Sequence, residues 1–397
     1  MKRPITVSGI GCCLLDRIWS DMDFNSETFR QYISRQTADG GLVPGELKLE
    51  EEFENFCGKP FPDVLRELTG GRKPDGTNIG GPCIVALINA AQLTREQSHI
   101  SFYGCSGNDE TYRTIIEILK KTPVDYSNYI VKDGAYTPST SVFSDPNYDQ
   151  GHGERIFVNT IGAAWQLTPE SITSQFLSAD ICMFGATALT PHIHENLHTL
   201  LPLAKRNGAF TVVTTVYDTL SQRKHLVRWP LGANDDSYAN TDLLVTDSEE
   251  AIRMSGTQSI EDALAFFKER GVGAAIVTNG ARNIYFYAQS PMFLPVAVST
   301  LPVSEAVGRK LKEGVTRGDT TGCGDNFAGG VLASIIQQKY KSETAKFDLV
   351  EACKWGVVSG GFTCFHYGGT FTENCPGEKL KNILELYKDY DKQIQTI

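Results

Sequence analysis

Through the middle of this chain, short apolar runs alternate with longer amphipathic stretches, and that alternation leaves few folds open. Asp180 to Phe184, Ala209 to Thr214, Leu243 to Thr246 and Ala274 to Thr278 read as strands. Ile193 to Arg206, Ser248 to Met254 and Ile260 to Arg270 lie between them with the periodicity of helices. Strands this uniformly apolar need cover on both faces, and the intervening helices supply it. The pattern predicts βαβ units, hence an α/β fold with a mostly parallel sheet flanked by helices. Ile5 to Ile10 and His99 to Tyr103 read as two further strands of that sheet, with a helix over Cys83 to Leu93 between them. The chain is 397 residues long and 41% hydrophobic, enough to bury a substantial core, and residues 1–397 read as one domain.

Two regions break the alternation. Asp16 to Gly80 is rich in charge and contains a predicted helix around Leu47 to Phe56. Tyr136 to Ile161 alternates in the manner of exposed antiparallel strands, through Ser139 to Phe143 and Arg155 to Val158. Together, 16–79 and 136–161 are expected to form a small β-rich lid, discontinuous in sequence, over the edge of the large domain.

The net charge is −10 and no long basic run is present. Such a chain is a poor partner for nucleic acid or for an anionic membrane, so a phosphorylated ligand has to be held by local devices. The ten cysteines are scattered, with no CxxC pair and no Cys/His cluster at zinc spacing. That usage predicts a reduced, cytoplasmic protein. Lys2-Arg3 ahead of Ile5 to Cys12 has the outline of a lipoprotein signal, but its apolar stretch is short and Asp16-Arg17 follow at once. No run approaches the roughly 18 apolar residues of a membrane span.

The most informative stretch is Asp319-Thr320-Thr321-Gly322-Cys323-Gly324-Asp325-Asn326-Phe327-Ala328-Gly329-Gly330, running into the apolar Val331 to Ile336. Small residues ahead of an apolar helix build an anion site. The first amides of a helix have no internal partner, and its dipole favours negative charge there. Gly322 and Gly324, on either side of Cys323, let those amides converge without Cβ clashes. Asp325 falls in the first turn, beside the anion. Two readings stand at this point: Asp325 caps the helix, or it accepts a proton from a hydroxyl attacking a phosphoryl group. Cys323 acts through its backbone, since nothing near it in sequence supplies the base that a nucleophilic thiol needs.

Other features run in a fixed order along the chain. Asp16 follows the first strand and Gly9. Gly80-Gly81 precede the small-residue stretch Pro82 to Leu93. Gly104 to Asp109 reads G-x-x-G-x-D, and Asp247 to Glu250 and Thr278 to Gly280 follow. From residue 9 to residue 330 this series resembles the ribokinase-like (PfkB) carbohydrate kinase family, with D-T-T-G-C-G-D as its C-terminal signature and the double glycine as its N-terminal one. Three departures are visible. Val85 stands where the family has Asn after the double glycine, and Asp247 stands where it has a metal-associated Asn. Thr316-Arg317-Gly318 replaces a hydrophobic strand, and Arg317 is expected to be solvated.

The resemblance implies a ribokinase-like three-layer sandwich with a small lid, transferring the γ-phosphoryl group of ATP to a hydroxyl of a sugar or sugar derivative. It implies Asp325 as general base and the amides of Gly322, Cys323, Gly324 and Asp325 as an anion hole. Asp16, Gly80 and Gly81 then hold the substrate, Thr278 and Gly280 the nucleotide, and Glu250 with Asp247 a magnesium ion. Cys353 to Phe365 is where adenine contacts are implied. The implied cofactors are ATP, Mg2+ and a monovalent cation, and the lid edge implies a homodimer. Structural readings stand beside these roles: Asp16 and Gly80-Gly81 also suit ordinary turns, and Glu250 suits the start of a helix.

The long interval from Asp16 to Gly80 and the tail Gly368 to Glu373 resemble nucleoside kinases of the adenosine type, the competing substrate class. A phosphosugar substrate calls for more cationic side chains than Arg155. A non-catalytic sugar- or nucleotide-binding regulator is disfavoured by the intact base and glycines. A dinucleotide enzyme is disfavoured because no G-x-G-x-x-G follows the first strand.

Overall fold

The computed structural model describes residues 2–36, 39–151, 153–224, 227–289, 291–314, 318, 320–342 and 344–396. Thr316, Arg317 and Asp319 lie outside the described residues. In chain order the strands are β1 (Ile5–Gly11), β2 (Leu14–Trp19), β3 (Leu47–Leu49), β4 (Gly76–Gly80), β5 (Ser98–Gly107), β6 (Asp125–Lys132) and β7 (Ser139–Asp145). There follow β8 (Glu154–Thr160), β9 (Ile181–Gly185), β10 (Phe210–Thr214), β11 (Leu243–Asp247), β12 (Ala274–Thr278), β13 (Ile284–Ala288) and β14 (Val296–Leu301).

Among the described residues, nine strands make the large sheet in the order β14-β13-β12-β11-β10-β9-β1-β5-β6. It is parallel from β12 through β6, and β13 and β14 add antiparallel at one edge. Successive side chains of its strands divide between two cores. Ile181, Met183, Val212, Val245 and Ile276 face one layer, built on the helices Pro82–Thr94, Cys323–Lys341, Leu349–Thr363 and Glu378–Gln395. Cys182, Phe184, Val213, Leu244 and Val277 face the other, under Leu197–Arg206, Ser248–Ser255 and Ile260–Glu269. Both faces being dry explains why these strands read as continuous apolar runs. Each such side chain contributes about 1.5–3 kcal/mol on burial. The result is the ribokinase-like α/β fold. No helix among the described residues is long and apolar enough to cross a membrane.

A second sheet has the order β3-β8-β7-β2-β4. It takes in Leu14–Trp19 and Gly76–Gly80 as well as the two strands expected from Tyr136 to Ile161. Those two are antiparallel as expected, but they are buried rather than exposed. On one face, Phe143, Ile156 and Val158 pack with Trp19, Phe29 and Phe53 beneath short helices. The other face turns Thr140, Phe157 and Asn159 toward the large domain. The alternation thus reports two covered faces of different chemistry.

Two predicted helices are corrected. Leu47 to Leu49 pairs with β8 as a strand, and the helix begins only at Glu50, where Glu50, Glu51 and Glu52 fill the first turn and suit its dipole. Ile193 to Arg206 is not continuous. Asn196 leaves helical geometry (φ −97°, ψ 6°), and its side-chain amide donates to the His192 carbonyl at 2.9 Å, dividing Pro191–Glu195 from Leu197–Arg206.

β1 lies between β9 and β5, so the chain winds outward from it in both directions. Open α/β sheets bind ligands in the crevice at such a switch point, beyond the carboxyl ends of the strands. Here β11 ends on Asp247, β12 ends on Thr278, and the second sheet stands opposite.

Candidate active site

Gly322 starts the long helix Cys323–Lys341 from a left-handed conformation (φ 75°), and a Cβ there would collide with the backbone of Gly369. Asp325 stands in the first turn but makes no capping hydrogen bond, so the capping role open to it in sequence is not the one it plays. Asp325 lines two cavities at once, one of about 160 Å3 against the second sheet and one of about 150 Å3 over the ends of β11 and β12. Burial pushes its pKa up to about 7, and among the described residues no hydrogen bond or ion pair offsets the effect. Among the described residues the Gly322, Gly324 and Asp325 amides have no hydrogen-bond partner, whereas the Cys323 amide donates to the Thr320 carbonyl at 3.3 Å. Three of the four expected anion donors are therefore open, and the fourth is weakly engaged.

The first cavity also brings together Asp16, Gly80 and Gly81. Asp16 is buried on β2, paired across the sheet with Asn78 of β4 and Thr140 of β7. A Cβ on Gly80 would strike the Asp16 carboxylate, which is why the strand narrows to glycine there. Val85, in place of the expected Asn, presents an apolar branch to the cavity. Sequence reasoning missed Asn159, which donates to the Thr140 hydroxyl at 3.0 Å, and the apolar wall of Leu47, Phe157 and Tyr217. The alternation along β8 carried the signal for Phe157 and Asn159. Nothing in the sequence marked Leu47 or Tyr217.

Thr278 and Gly280 line a third cavity of about 500 Å3, with Cys323 and Gly324 on its wall. From the Cys353 to Phe365 segment, Val357, Gly360, Gly361 and Cys364 contribute. Val303, Ser304, Val307 and Leu311, around the helix Glu305–Lys312, close it from a side that the sequence did not indicate. Gly324 and Thr278 belong to both this cavity and the one over β11 and β12, so the three spaces form one run with Asp325 at the junction.

Asp247 and Glu250 stand at the middle cavity. They form a reciprocal cap on the helix Ser248–Ser255, the Glu250 amide donating to Asp247 Oδ1 at 2.8 Å. The structural reading of Glu250 is thus correct as far as it goes. Yet the Glu250 carboxylate is buried, accepts from the Thr215 and Thr246 hydroxyls, and has its pKa raised by burial and then by Asp247. Burial likewise raises Asp247. Buried carboxylate oxygens of this kind suit a hard divalent cation. Among the described residues no three acidic or soft side chains group tightly enough to hold a metal alone.

Arg155 reaches from β8 to the phosphate loop, donating to the hydroxyls of Thr320 (2.6 Å) and Thr321, with its guanidinium over the Phe157 ring at 5.4 Å. It ties the second sheet to the loop.

A family model described as pfkB family carbohydrate kinase matches residues 76–374. The chain belongs to that family. As a PfkB kinase it is a phosphotransferase with an alcohol acceptor, and membership implies ATP use. It is 26% identical to a fructokinase of Rhizobium leguminosarum bv. trifolii over 286 residues, spanning 70% of this chain and 78% of that one. Its fold is shared with adenosine kinase from Schistosoma mansoni in complex with 2-fluoroadenosine (TM-score 0.70, 16% identity, 92% of this chain and 97% of that one). It is shared also with ribokinase from Thermotoga maritima (TM-score 0.62, 18% identity, 96% and 99%).

Proposed function

We propose that this PfkB kinase transfers the γ-phosphoryl group of ATP to a hydroxyl of a sugar or sugar derivative, with Asp325 as general base. The observation that carries this reading is Asp325, buried, with no hydrogen bond or ion pair to its carboxyl among the described residues, and lining both the small cavity and the one over β11 and β12. An acceptor hydroxyl seated there gives its proton to Asp325 as it attacks. Base assistance of this kind is worth roughly 10² to 10⁴ in rate. Asp16 accepts from other hydroxyls of the acceptor and orients it. The amides of Gly322, Gly324 and Asp325, with that of Cys323, receive the charge that grows on the transferring group. Arg155 brings a cation to the same loop from the opposite sheet. Nucleotide occupies the large cavity, with its phosphates along Thr278 and Gly280. Asp247 and Glu250 are the side chains fitted to hold Mg2+, which draws negative charge off the phosphates when bound.

The acceptor cavity, about 160 Å3, is below the roughly 300–1,000 Å3 usual for drug-sized ligands, and so suits a monosaccharide. One observation favours a second reading, a nucleoside acceptor: Leu47, Val85, Phe157 and Tyr217 make much of the wall apolar, as a base or other flat group attached to the sugar would require. ATP consumption measured with Mg2+, with and without potassium, against hexoses, pentoses, sugar acids and nucleosides tests both. Turnover of a monosaccharide is expected. Turnover of adenosine alone establishes the second reading, and no turnover with any acceptor overturns both.

A further inference from the structure

Beside the phosphate loop lies a lysine that no step above uses. Lys379, at the start of the helix Glu378–Gln395, is 1% exposed. Neither it nor Asn326, its partner, lines any of the three cavities. A buried ammonium is costly unless held by hydrogen bonds and opposite charge. Burial brings the Lys379 pKa down to about 7, with Glu373 acting in the opposite sense. Glu373 is itself fixed, accepting from the Lys379 backbone amide at 3.0 Å and pairing with Arg95.

The ammonium spends one hydrogen bond on Asn326, donating to its Oδ1 at 2.9 Å. Asn326 follows Asp325 directly, and both ends of its side chain are engaged. Nδ2 donates to the carbonyls of Gly322 (2.9 Å) and Gly369 (2.7 Å), and the Asn326 amide also donates to the Gly322 carbonyl at 2.9 Å. The Asn326 carbonyl accepts from Asn89 at 2.7 Å. An ammonium can only donate and a carbonyl can only accept, so one orientation of the Asn326 side chain satisfies all its neighbours. The Gly322 carbonyl and the Cys323 N–H belong to one rigid peptide plane, so holding the first aims the second. Gly369 packs directly on Gly322, and its carbonyl is held by the same side chain.

We propose that Lys379 is a positioning residue for phosphoryl transfer: through Asn326 it holds the Gly322–Cys323 peptide plane, and with it the turn that presents the anion-binding amides. The proposal rests on the reading of Gly322 to Asp325 as that anion site. Removing the ammonium leaves Asn326 Oδ1 buried without a donor, and a donor group returned to the vacated space restores it.

The test uses the full-length protein and two variants. Lys379→Met keeps the length of the side chain and removes the donor; Lys379→Ala opens a space that methylammonium fits. Amide hydrogen exchange, which needs no substrate and no turnover, reads the loop directly. The expected result for Lys379→Met is exchange at least fivefold faster over 320–327, unchanged exchange over the β12 strand, kcat lowered about tenfold or more, and KM for ATP within threefold of wild type. Millimolar methylammonium is expected to restore kcat and exchange protection to Lys379→Ala severalfold while leaving wild type unaffected. Unchanged exchange over 320–327 overturns the proposal. So does loss of protection throughout the chain, or of kcat and KM together, without methylammonium rescue, which marks a merely structural lysine. If wild type itself turns over no acceptor, the kinase reading of the site fails, while the exchange data still decide whether Lys379 holds the turn.

Discussion

Asp325→Asn should make this protein more stable and do so only at high enough pH. The folded protein raises the Asp325 pKa from 3.8 to about 7 by burial alone. A group raised in this way binds its proton more tightly folded than unfolded, so its contribution is fully present below pH 4 and is lost as pH rises through 7. Three units at 1.36 kcal/mol each set a ceiling of about 4 kcal/mol. Asp325 lines two cavities that admit water, so about half of that, roughly 2 kcal/mol, is expected. Asn has the same shape and no charge to bury. At about 2.1 cal/mol/K per residue over 397 residues, 2 kcal/mol corresponds to about 2–3 °C in Tm. Calorimetry of the ligand-free protein is the assay. The variant should melt about 2–3 °C above wild type at pH 8, with a difference below about 1 °C at pH 4.5. A difference independent of pH, or a variant less stable at pH 8, refutes the claim that the carboxylate is held there at a cost.

Two further substitutions separate roles that the geometry superimposes. Glu250→Gln keeps the reciprocal cap with Asp247, since Gln serves that position as Glu does, but removes the charge; the Mg2+ concentration for half-maximal turnover should rise at least about tenfold with Tm within a few degrees, as magnesium titrations and melting curves will show. Arg155→Met keeps an apolar contact to Phe157 and cuts the links to Thr320 and Thr321. Hydrogen bonds from a charged group are worth about 1.5–3 kcal/mol, so kcat should fall roughly 10- to 100-fold in steady-state assays, with acceptor KM little changed.

Among the described residues, six of the nine strands of the large sheet were legible because they are dry on both faces, which leaves apolar runs such as Ala274 to Val277; β6, β13 and β14, toward the sheet edges, were not, and β6 and β14 are largely half-buried or exposed there. The phosphate loop was legible because glycines at 322 and 324 flank one small residue immediately ahead of an apolar helix, a pattern suited to converging backbone amides. Where the sequence misled, tertiary partners decided. Leu47 to Leu49 carries a helical pattern yet pairs with β8 because that strand offers an open edge. β7 and β8 turn Thr140, Phe157 and Asn159 toward a cavity, which the sequence pattern cannot tell from solvent. Leu47 and Tyr217 were beyond reach for a simpler reason: each is brought to the site by a strand or loop whose placement depends on contacts far away in the chain, whereas Arg155 was legible as a cation placed for a phosphate and only its partners Thr320 and Thr321 were not. Asp325 stood out only by the company of its neighbours, and its freedom from a capping bond is visible only in three dimensions.

In the proposed mechanism the Asp325 carboxylate takes the proton of the attacking hydroxyl. Turnover of Asp325→Asn with MgATP and the acceptor found in the substrate panel measures this most directly. With the base removed, kcat should fall at least about 10²-fold with KM for ATP little changed; a purified, folded variant turning over within about threefold of wild type contradicts a general-base role for Asp325.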